Sequence, residues 1–269
     1  MLRSIKQLCG KKLGTSEGEI GHVEDFYFND QHWVMRYVVA DTGSWLPGRL
    51  VLLSPHAFGG FYEDGDCLLV SLSRQQIENS PPIDSHKPVS RQDEVDYYRY
   101  YGWPTYWQGG EMWGIAGLPV APIPQPLPGA HASLDAHSPN DNPHLRSTKM
   151  LTGYHIQTPK GAIGHVTDFM MDDQSWAIRH LVVETGHWFS GKEIALSPRH
   201  IERVSYEESK VFVNVTKEAI LDAKEYHMPL VPTTIPGIST TENCHVIQGA
   251  LPAISSHRFT SRPKAAAFQ

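Results

Sequence analysis

The sequence predicts an all-β protein made of two homologous small β-barrels in tandem, with short helices and an aromatic and proline-rich connecting segment. Two observations predict this fold class. The stretch from Leu2 to Ile77 reappears from Leu145 to Ile220, at a constant offset of 143 residues and without a gap. Within each copy, short apolar runs are separated by Gly, Asp and Asn, a pattern typical of antiparallel strands that close into a barrel or sandwich. A unit of this length is too long for a solenoid repeat and fits a duplicated small domain.

The duplication divides the 269 residues into four parts. They are repeat 1 (residues 1–79), an aromatic and then proline-rich linker (80–144), repeat 2 (145–226) and a flexible C-terminal tail (227–269).

Each repeat opens with a turn or helix-like segment, followed by strands. These opening segments are Ser4–Leu8 and Ser147–Leu151. Gly21 and Gly164 lie inside strands, where glycine usually marks a bulge or a bend. The last elements of the repeats are short helices with N-cap candidates at Ser73 and Thr216.

The strongest hairpin signal lies at Asp30-Gln31 and recurs at Asp173-Gln174. A symmetric loop centred there predicts four cross-strand pairs in repeat 1 and repeat 2. They are Asp25 with Arg36, Asp168 with Arg179, Phe28 with Trp33, and Phe26 with Met35. Opposite charges and aromatic pairs across a ladder stabilise it, so we assign Asp25, Arg36, Asp168 and Arg179 structural roles.

Fifteen histidines raise the question of a metal site, but only His22 and His165 occupy equivalent positions in the two repeats. We interpret both as structural histidines that form hydrogen bonds in the barrel. His180 of repeat 2 corresponds to Tyr37 of repeat 1, so no ligand set is repeated. We predict no metal and no other cofactor.

Composition and the ends of the chain predict a cytoplasmic protein without a transmembrane segment. The N-terminus lacks the apolar stretch of a signal peptide, and no window approaches the length of a membrane span. Cys9, Cys67 and Cys244 are odd in number and not equivalent between the repeats, which predicts incidental thiols and no disulfide framework. A net charge of −6 argues against DNA as a partner and disfavours RNA or the ribosome.

The linker contains a predicted short helix around Asp93–Tyr101 and the densest aromatic run of the chain. Its candidate interaction residues are Tyr97, Tyr98, Tyr101, Trp103, Tyr106 and Trp107. Large rings are unfavourable in water, and Tyr and Trp are enriched at interfaces. Three interpretations stay open: the run packs on the chain's own barrels or across a homodimer, it binds a separate protein, or it stacks on single-stranded nucleic acid.

A second candidate surface lies in the turn just beyond the strand end at Thr42-Gly43 and Thr185-Gly186. Its residues are Trp45, Leu46, Trp188 and Phe189. These side chains either contact a partner or cap the open end of each barrel.

The repeated motifs resemble those of the PRC-barrel family. They are Gly-x-Ile-Gly-His-Val-x-Asp-Phe, Asp-Gln-x-Trp-x-x-Arg, Val-x-x-Thr-Gly-x-Trp-x-x-Gly and Leu-Ser-Pro. The chain is similar to bacterial proteins with two such domains in tandem. The resemblance implies a strongly bent barrel, related in fold to the cytoplasmic domain of the photosynthetic reaction-centre H subunit and to the C-terminal domain of the ribosome maturation factor M. In those relatives the barrel is an assembly and docking element.

No hydrolase, P-loop or dinucleotide motif is present in the sequence. We therefore predict a non-enzymatic cytoplasmic protein that acts as a protein-interaction or assembly scaffold for unidentified protein partners. Two alternatives are a ribosome or RNA-processing assembly factor and a peripheral accessory to a membrane photosynthetic or electron-transfer complex.

Overall fold

The computed structural model describes residues 1–58, 63–64, 67–81, 89–108, 112–114, 144–186 and 191–216. The strands in these residues are β1 (Leu2–Ser4), β2 (Lys12–Thr15), β3 (Gly18–Asn29), β4 (Val34–Asp41), β5 (Leu50–Leu53), β6 (Glu63–Asp64), β7 (Cys67–Leu69), β8 (Leu145–Ser147), β9 (His155–Thr158), β10 (Gly161–Asp172), β11 (Ile178–Thr185), β12 (Glu193–Leu196), β13 (Ile201–Ser205) and β14 (Lys210–Val213). The helices are α1 (Ile5–Leu8), α2 (Arg74–Glu78), α3 (Arg91–Tyr101) and α4 (Thr148–Leu151).

The strands form two seven-stranded, barrel-like sheets of matching topology. In repeat 1 the order is β5-β4-β3-β2-β7-β6, and in repeat 2 it is β12-β11-β10-β9-β14-β13. Each sheet has one parallel pair, β2 with β7 in repeat 1 and β9 with β14 in repeat 2, and the other pairs are antiparallel. The all-β prediction with two barrel-like units is confirmed.

The seventh strand of each sheet comes from the other repeat. Strand β1 pairs with β10, where Arg3 lies opposite Met171, and β8 pairs with β3, where Arg146 lies opposite Phe28. The two hairpins also meet, because Met35 N–H donates to the Trp176 carbonyl at 2.8 Å. The repeats are therefore intertwined by a reciprocal exchange of their first strands, and one hydrophobic core runs through both.

Asp25 holds this exchange together on the repeat 1 side. Its carboxylate is 7 % exposed and accepts hydrogen bonds from Ser147 Oγ (2.5 Å), Thr148 Oγ1 (2.8 Å) and the Lys149 backbone N–H (3.2 Å). It therefore anchors β8 and the start of α4.

Asp168 does the same on the repeat 2 side, where it accepts from Ser4 Oγ at 2.5 Å and from the Lys6 backbone N–H at 2.9 Å. Ser4 and Ser147 also cap α1 and α4. Each serine thus binds its own helix and the carboxylate of the opposite repeat.

The predicted hairpin register was wrong. Phe28 pairs with Met35, not Trp33, and Phe26 pairs with Val38, not Met35. The cause is a four-residue loop over residues 30–33, in which Trp33 has a positive φ of 55°, followed by a β-bulge at Arg36.

The shift removes both predicted ion pairs. Asp25 lies opposite Val39, and Asp168 lies opposite Val182. Arg36 is buried elsewhere, while Arg179 forms an ion pair with Asp172 at 3.0 Å.

Gly21 and Gly164 permit the close approach of neighbouring strands. A Cβ atom at Gly21 would lie 2.0 Å from the Asp41 carbonyl oxygen, and one at Gly164 would lie 2.1 Å from the Glu184 carbonyl oxygen. Any side chain at these positions would overlap backbone atoms, so the sheet bends here only with glycine.

The local helix signals in repeat 1 and the linker agree with the structure. Ser73 caps α2 in a capping box, and Ser90 caps α3, which begins two residues before the predicted start at Asp93. The helix predicted after Thr216 lies outside the described residues.

Cys67 is disulfide-bonded and Cys9 is a free thiol. This corrects the expectation that Cys67 is an incidental thiol. Burial raises the pKa of Cys9 to about 11. In the part of the chain that the structure describes, no helix is long and apolar enough to cross a membrane.

Candidate interaction face

Two equivalent faces of the repeats differ in their side chains and in how much of them is exposed. We define the repeat 1 face by Arg36, Tyr37, Ser54 and His56, and the repeat 2 face by Arg179, His180, Ser197 and Arg199. In both, a bulge lies at the arginine, and a Ser-Pro sequence ends a strand and begins a 3₁₀ turn. The same local fold thus presents two different sets of side chains.

The linker covers the repeat 1 face with α3 and the aromatic residues that follow it. Tyr37 and Ser54 are fully buried beneath it, and the Tyr98 hydroxyl lies 3.4 Å from Ser54 Oγ. The rings of Tyr97 and Tyr98 meet Tyr37 edge to face, with centroids 6.2 and 6.3 Å away. Such aromatic contacts add to the stability that burial provides.

This packing corrects part of the predicted interaction surface. Tyr97, Tyr98 and Tyr106 are at most 5 % exposed, so they cannot contact a partner in this conformation. The remaining candidates of the run are half-buried: Tyr101, Trp103 and Trp107. Of the three interpretations of the run, the structure shows packing on the chain's own repeat 1, because the rings avoid water there.

Glu94 of α3 is the polar centre of the covered face. Its carboxylate is fully buried and accepts from the Tyr37 hydroxyl (2.9 Å) and the Tyr106 hydroxyl (2.6 Å), and it lies 2.8 Å from Arg91 Nη1. Burial and the Glu94 charge raise the pKa of Tyr37. The acid on the helix thus satisfies the polar group on the strand.

Arg36 lies between two rings. Its guanidinium carbon is 3.9 Å from the centre of Tyr106 and 4.7 Å from that of Trp113. Burial lowers the pKa of Arg36. Burial and the Arg36 charge lower the pKa of the neighbouring His56 to about 4, so His56 is neutral at physiological pH.

The repeat 2 face has no such cover among the described residues. Arg179 and Arg199 are exposed, whereas every residue of β4 from Val34 to Ala40 is buried. His180 takes the place of Tyr37, and its buried Nδ1 has no hydrogen-bond partner in the described part of the chain. The covered repeat 1 face also contains such atoms in the described part of the chain, namely Nε and Nη1 of Arg36 and Nε2 of His56, so this feature is common to both faces.

The charges of the repeat 2 face set its chemistry. Burial, followed by the positive charges of Arg179 and Arg199, lowers the pKa of His180. Ser197 Oγ accepts a hydrogen bond from Arg199 Nε at 3.1 Å. This face therefore offers two exposed guanidinium groups, of which that of Arg179 is paired with Asp172.

The second predicted surface is only partly described. Trp45 and Leu46 are half-buried, and the guanidinium of Arg74 lies 5.4 Å from the centre of the Trp45 ring. Trp188 and Phe189 lie outside the described residues. The prediction that this turn contacts a partner stays a prediction.

The repeated histidines lie on the surface, which corrects their assignment as hydrogen-bonded barrel residues. His22 Nε2 is 3.9 Å from Glu24 Oε2 and 3.9 Å from Asp41 Oδ2, and His165 Nε2 is 3.8 Å from Glu184 Oε2. These distances are too long for hydrogen bonds. Side chains alternate along a strand, so the buried neighbours of these histidines turn the rings outward.

The His22 cluster has ligand atoms of the kind that hold metals, all within 4.8 Å of one another. One carboxylate of this cluster, Glu24, already binds the Lys149 ammonium group. The equivalent position to Glu24 in repeat 2 is Thr167, so the cluster is not repeated.

A cleft of about 760 Å³ lies beside the first hairpin, where Asp30, Arg146 and Tyr206 meet. The Asp30 carboxylate accepts from Arg146 Nε at 3.1 Å and from the Tyr206 hydroxyl at 2.8 Å, and His144 Nδ1 lies 3.0 Å from it. Burial and the Asp30 charge raise the pKa of Tyr206. The carboxylate is thus occupied by the chain itself, so we assign this network to the junction of the repeats.

Comparison with known protein families gives a match in repeat 2. Residues 158–220 match the family model of the PRC-barrel domain. The PRC-barrel match covers β10 to β14, including the whole repeat 2 face. No curated protein matches the chain.

The sequence analysis did not identify Glu94 at the repeat 1 face, nor His180 and Arg199 on the repeat 2 face, as candidate functional residues. The available signal was the aligned pair Tyr37 and His180, which shows that the repeats differ at this position. That Glu94 meets Tyr37 depends on the packing of α3 and is not visible in the pattern.

Proposed function

We propose that this chain is a non-catalytic interaction protein that presents the repeat 2 face to a protein partner. The observation that carries the proposal is the difference between the two equivalent faces. Repeat 1 covers its face with its own linker, while on repeat 2 the side chains of Arg179 and Arg199 are exposed in the described part of the chain. Strand β11 carries Arg179 and His180, and strands hold interaction residues more precisely than loops do.

The chemistry of the repeat 2 face supports binding over catalysis. Ser197 and His180 are a hydroxyl and an imidazole on neighbouring strand ends, but no hydrogen bond joins these two described residues, and Ser197 Oγ accepts from Arg199 Nε. A nucleophilic serine needs a base within hydrogen-bond reach. The arginines, in turn, are suited to bind carboxylates and aromatic rings of a partner.

The test is an affinity purification of the full chain from its native cells, read by quantitative mass spectrometry. We expect a specific protein partner that is lost when Arg179→Glu and Arg199→Glu are combined. The matched control combines Lys12→Glu and Arg99→Glu, which make the same charge change on exposed side chains away from the repeat 2 face. The control should retain the partner.

Three outcomes contradict the proposal. Equal recovery by both variants would place the binding surface elsewhere. Recovery of ribosomal RNA and ribosomal proteins would favour a ribosome assembly factor, and recovery of membrane electron-transfer subunits would favour a peripheral accessory protein. A cytoplasmic location is part of the proposal, and microscopy of the tagged chain checks it.

A further inference from the structure

We infer that the repeat 2 face binds a short helix of a partner protein that carries a carboxylate followed, three and four residues later, by aromatic side chains. This inference rests on the proposed function and specifies the chemistry of the partner. The chain contains its own template for such a complex, because α3 on the repeat 1 face has this spacing in Glu94, Tyr97 and Tyr98.

The carboxylate is the first requirement of the template. In repeat 1, Glu94 accepts a hydrogen bond from the Tyr37 hydroxyl at 2.9 Å. In repeat 2, His180 stands at this position, and the exposed Arg179 precedes it. A partner carboxylate placed as Glu94 is placed would lie beside the guanidinium group of Arg179 and form an ion pair with it. Hydrogen bonds to charged groups are the stronger ones.

The aromatic side chains are the second requirement. On the repeat 1 face, the ring of Tyr98 packs at right angles to His56, with centroids 6.4 Å apart. On the repeat 2 face, Arg199 stands in place of His56 and is exposed. A ring in the position of Tyr98 would therefore meet a guanidinium group, which favours the face of an aromatic ring.

Arg179 offers a second position for a ring. Its counterpart Arg36 is held between Tyr106 and Trp113, with the nearer ring centre at 3.9 Å. Arg179 forms an ion pair with Asp172 and a hydrogen bond to Ser175 Oγ through its Nη2, and its side chain is 50 % exposed. The free side of this guanidinium is available to an aromatic residue that follows the partner helix, as Tyr106 follows α3.

The probe is a synthetic peptide with the chain's own sequence from Val89 to Trp107, added to the full-length protein labelled with ¹⁵N. We expect saturable chemical-shift changes at Arg179, His180 and Arg199. A second peptide with Glu94→Gln should bind about tenfold more weakly, because it lacks the charge that faces Arg179. A peptide of the same composition in scrambled order is the control for non-specific aromatic binding.

Four results would overturn the inference. They are the absence of saturable shifts at the three residues, equal binding of the Glu94→Gln peptide, equal binding of the scrambled peptide, and shifts confined to the repeat 1 face, which would indicate exchange of α3. The affinity purification is independent of these results. If it recovers a partner that depends on Arg179 and Arg199 while the peptide fails to bind, the proposed function stands and the partner has a different chemistry.

Discussion

Replacing Asp25 with alanine removes the carboxylate on which the start of repeat 2 rests. The buried carboxylate accepts bonds from Ser147, Thr148 and Lys149, and also from the backbone N–H of Phe26 at 2.7 Å. A hydrogen bond to a charged group contributes about 1.5–3 kcal/mol. Because the four donors share one carboxylate, their contributions do not add, and we expect a loss of about 3–5 kcal/mol in the free energy of unfolding.

Guanidinium chloride unfolding, followed by far-UV circular dichroism and tryptophan fluorescence, measures this loss. Asp25→Ala and the equivalent Asp168→Ala should each lower the midpoint of a single transition that both probes report together. Asp96→Ala is the control, because its ion pair with Arg99 is exposed and contributes about 0–1 kcal/mol. A loss below about 1 kcal/mol for Asp25→Ala, or separate transitions for the two repeats, would refute the reasoning.

Three further predictions concern the strand contacts, pH and the covered face. Gly164→Ala should lower the free energy of unfolding by at least about 3 kcal/mol or prevent folding. Gly186→Ala should lower it by less than about 1 kcal/mol, because the added Cβ would meet nothing closer than 3.9 Å. The urea concentrations at the midpoints of unfolding compare the two variants. The pKa of His56 is about 4 in the folded chain, against an ordinary value of 6.5. Between these two values the unfolded chain binds one more proton than the folded chain, so the free energy of unfolding falls by up to roughly 3 kcal/mol as the pH is lowered from 6.5 to 4. His56→Phe should flatten the slope of unfolding free energy against pH in that window, and an unchanged slope would contradict the assignment. Glu94→Gln should destabilise the protein by about 2–4 kcal/mol and increase the exposure of the linker tryptophans to acrylamide quenching, because Arg91 loses its buried counter-charge.

Much of the fold follows from patterns within a few residues. The repeat predicts two similar sheets, and the serines at 4, 73 and 147 predict where helices begin, because an N-cap is a local interaction. The hairpin position was also predictable. Its register was not, because it depends on the positive φ of Trp33 and the bulge at Arg36, and this segment forms backbone hydrogen bonds to the other repeat.

The strand exchange cannot be predicted from the pattern for a specific reason. Leu2-Arg3-Ser4 and Leu145-Arg146-Ser147 are identical, and so are Asp25 and Asp168 as their acceptors. Each first strand therefore carries the same sequence signal for either sheet, so the pattern does not decide between them. The candidate face could not be predicted for a similar reason. The sequence shows that Tyr37 and His180 differ, but it does not show that α3 covers Tyr37.

The reciprocal exchange of first strands is the central claim, and amide NOEs in the full-length, deuterated protein test it most directly. The account predicts NOEs that link Arg3 to Met171 and Arg146 to Phe28, the cross-strand partners in the two exchanged pairs. NOEs that instead link Arg3 to Phe28 and Arg146 to Met171 would show that each repeat keeps its own first strand, and they would contradict the reciprocal exchange.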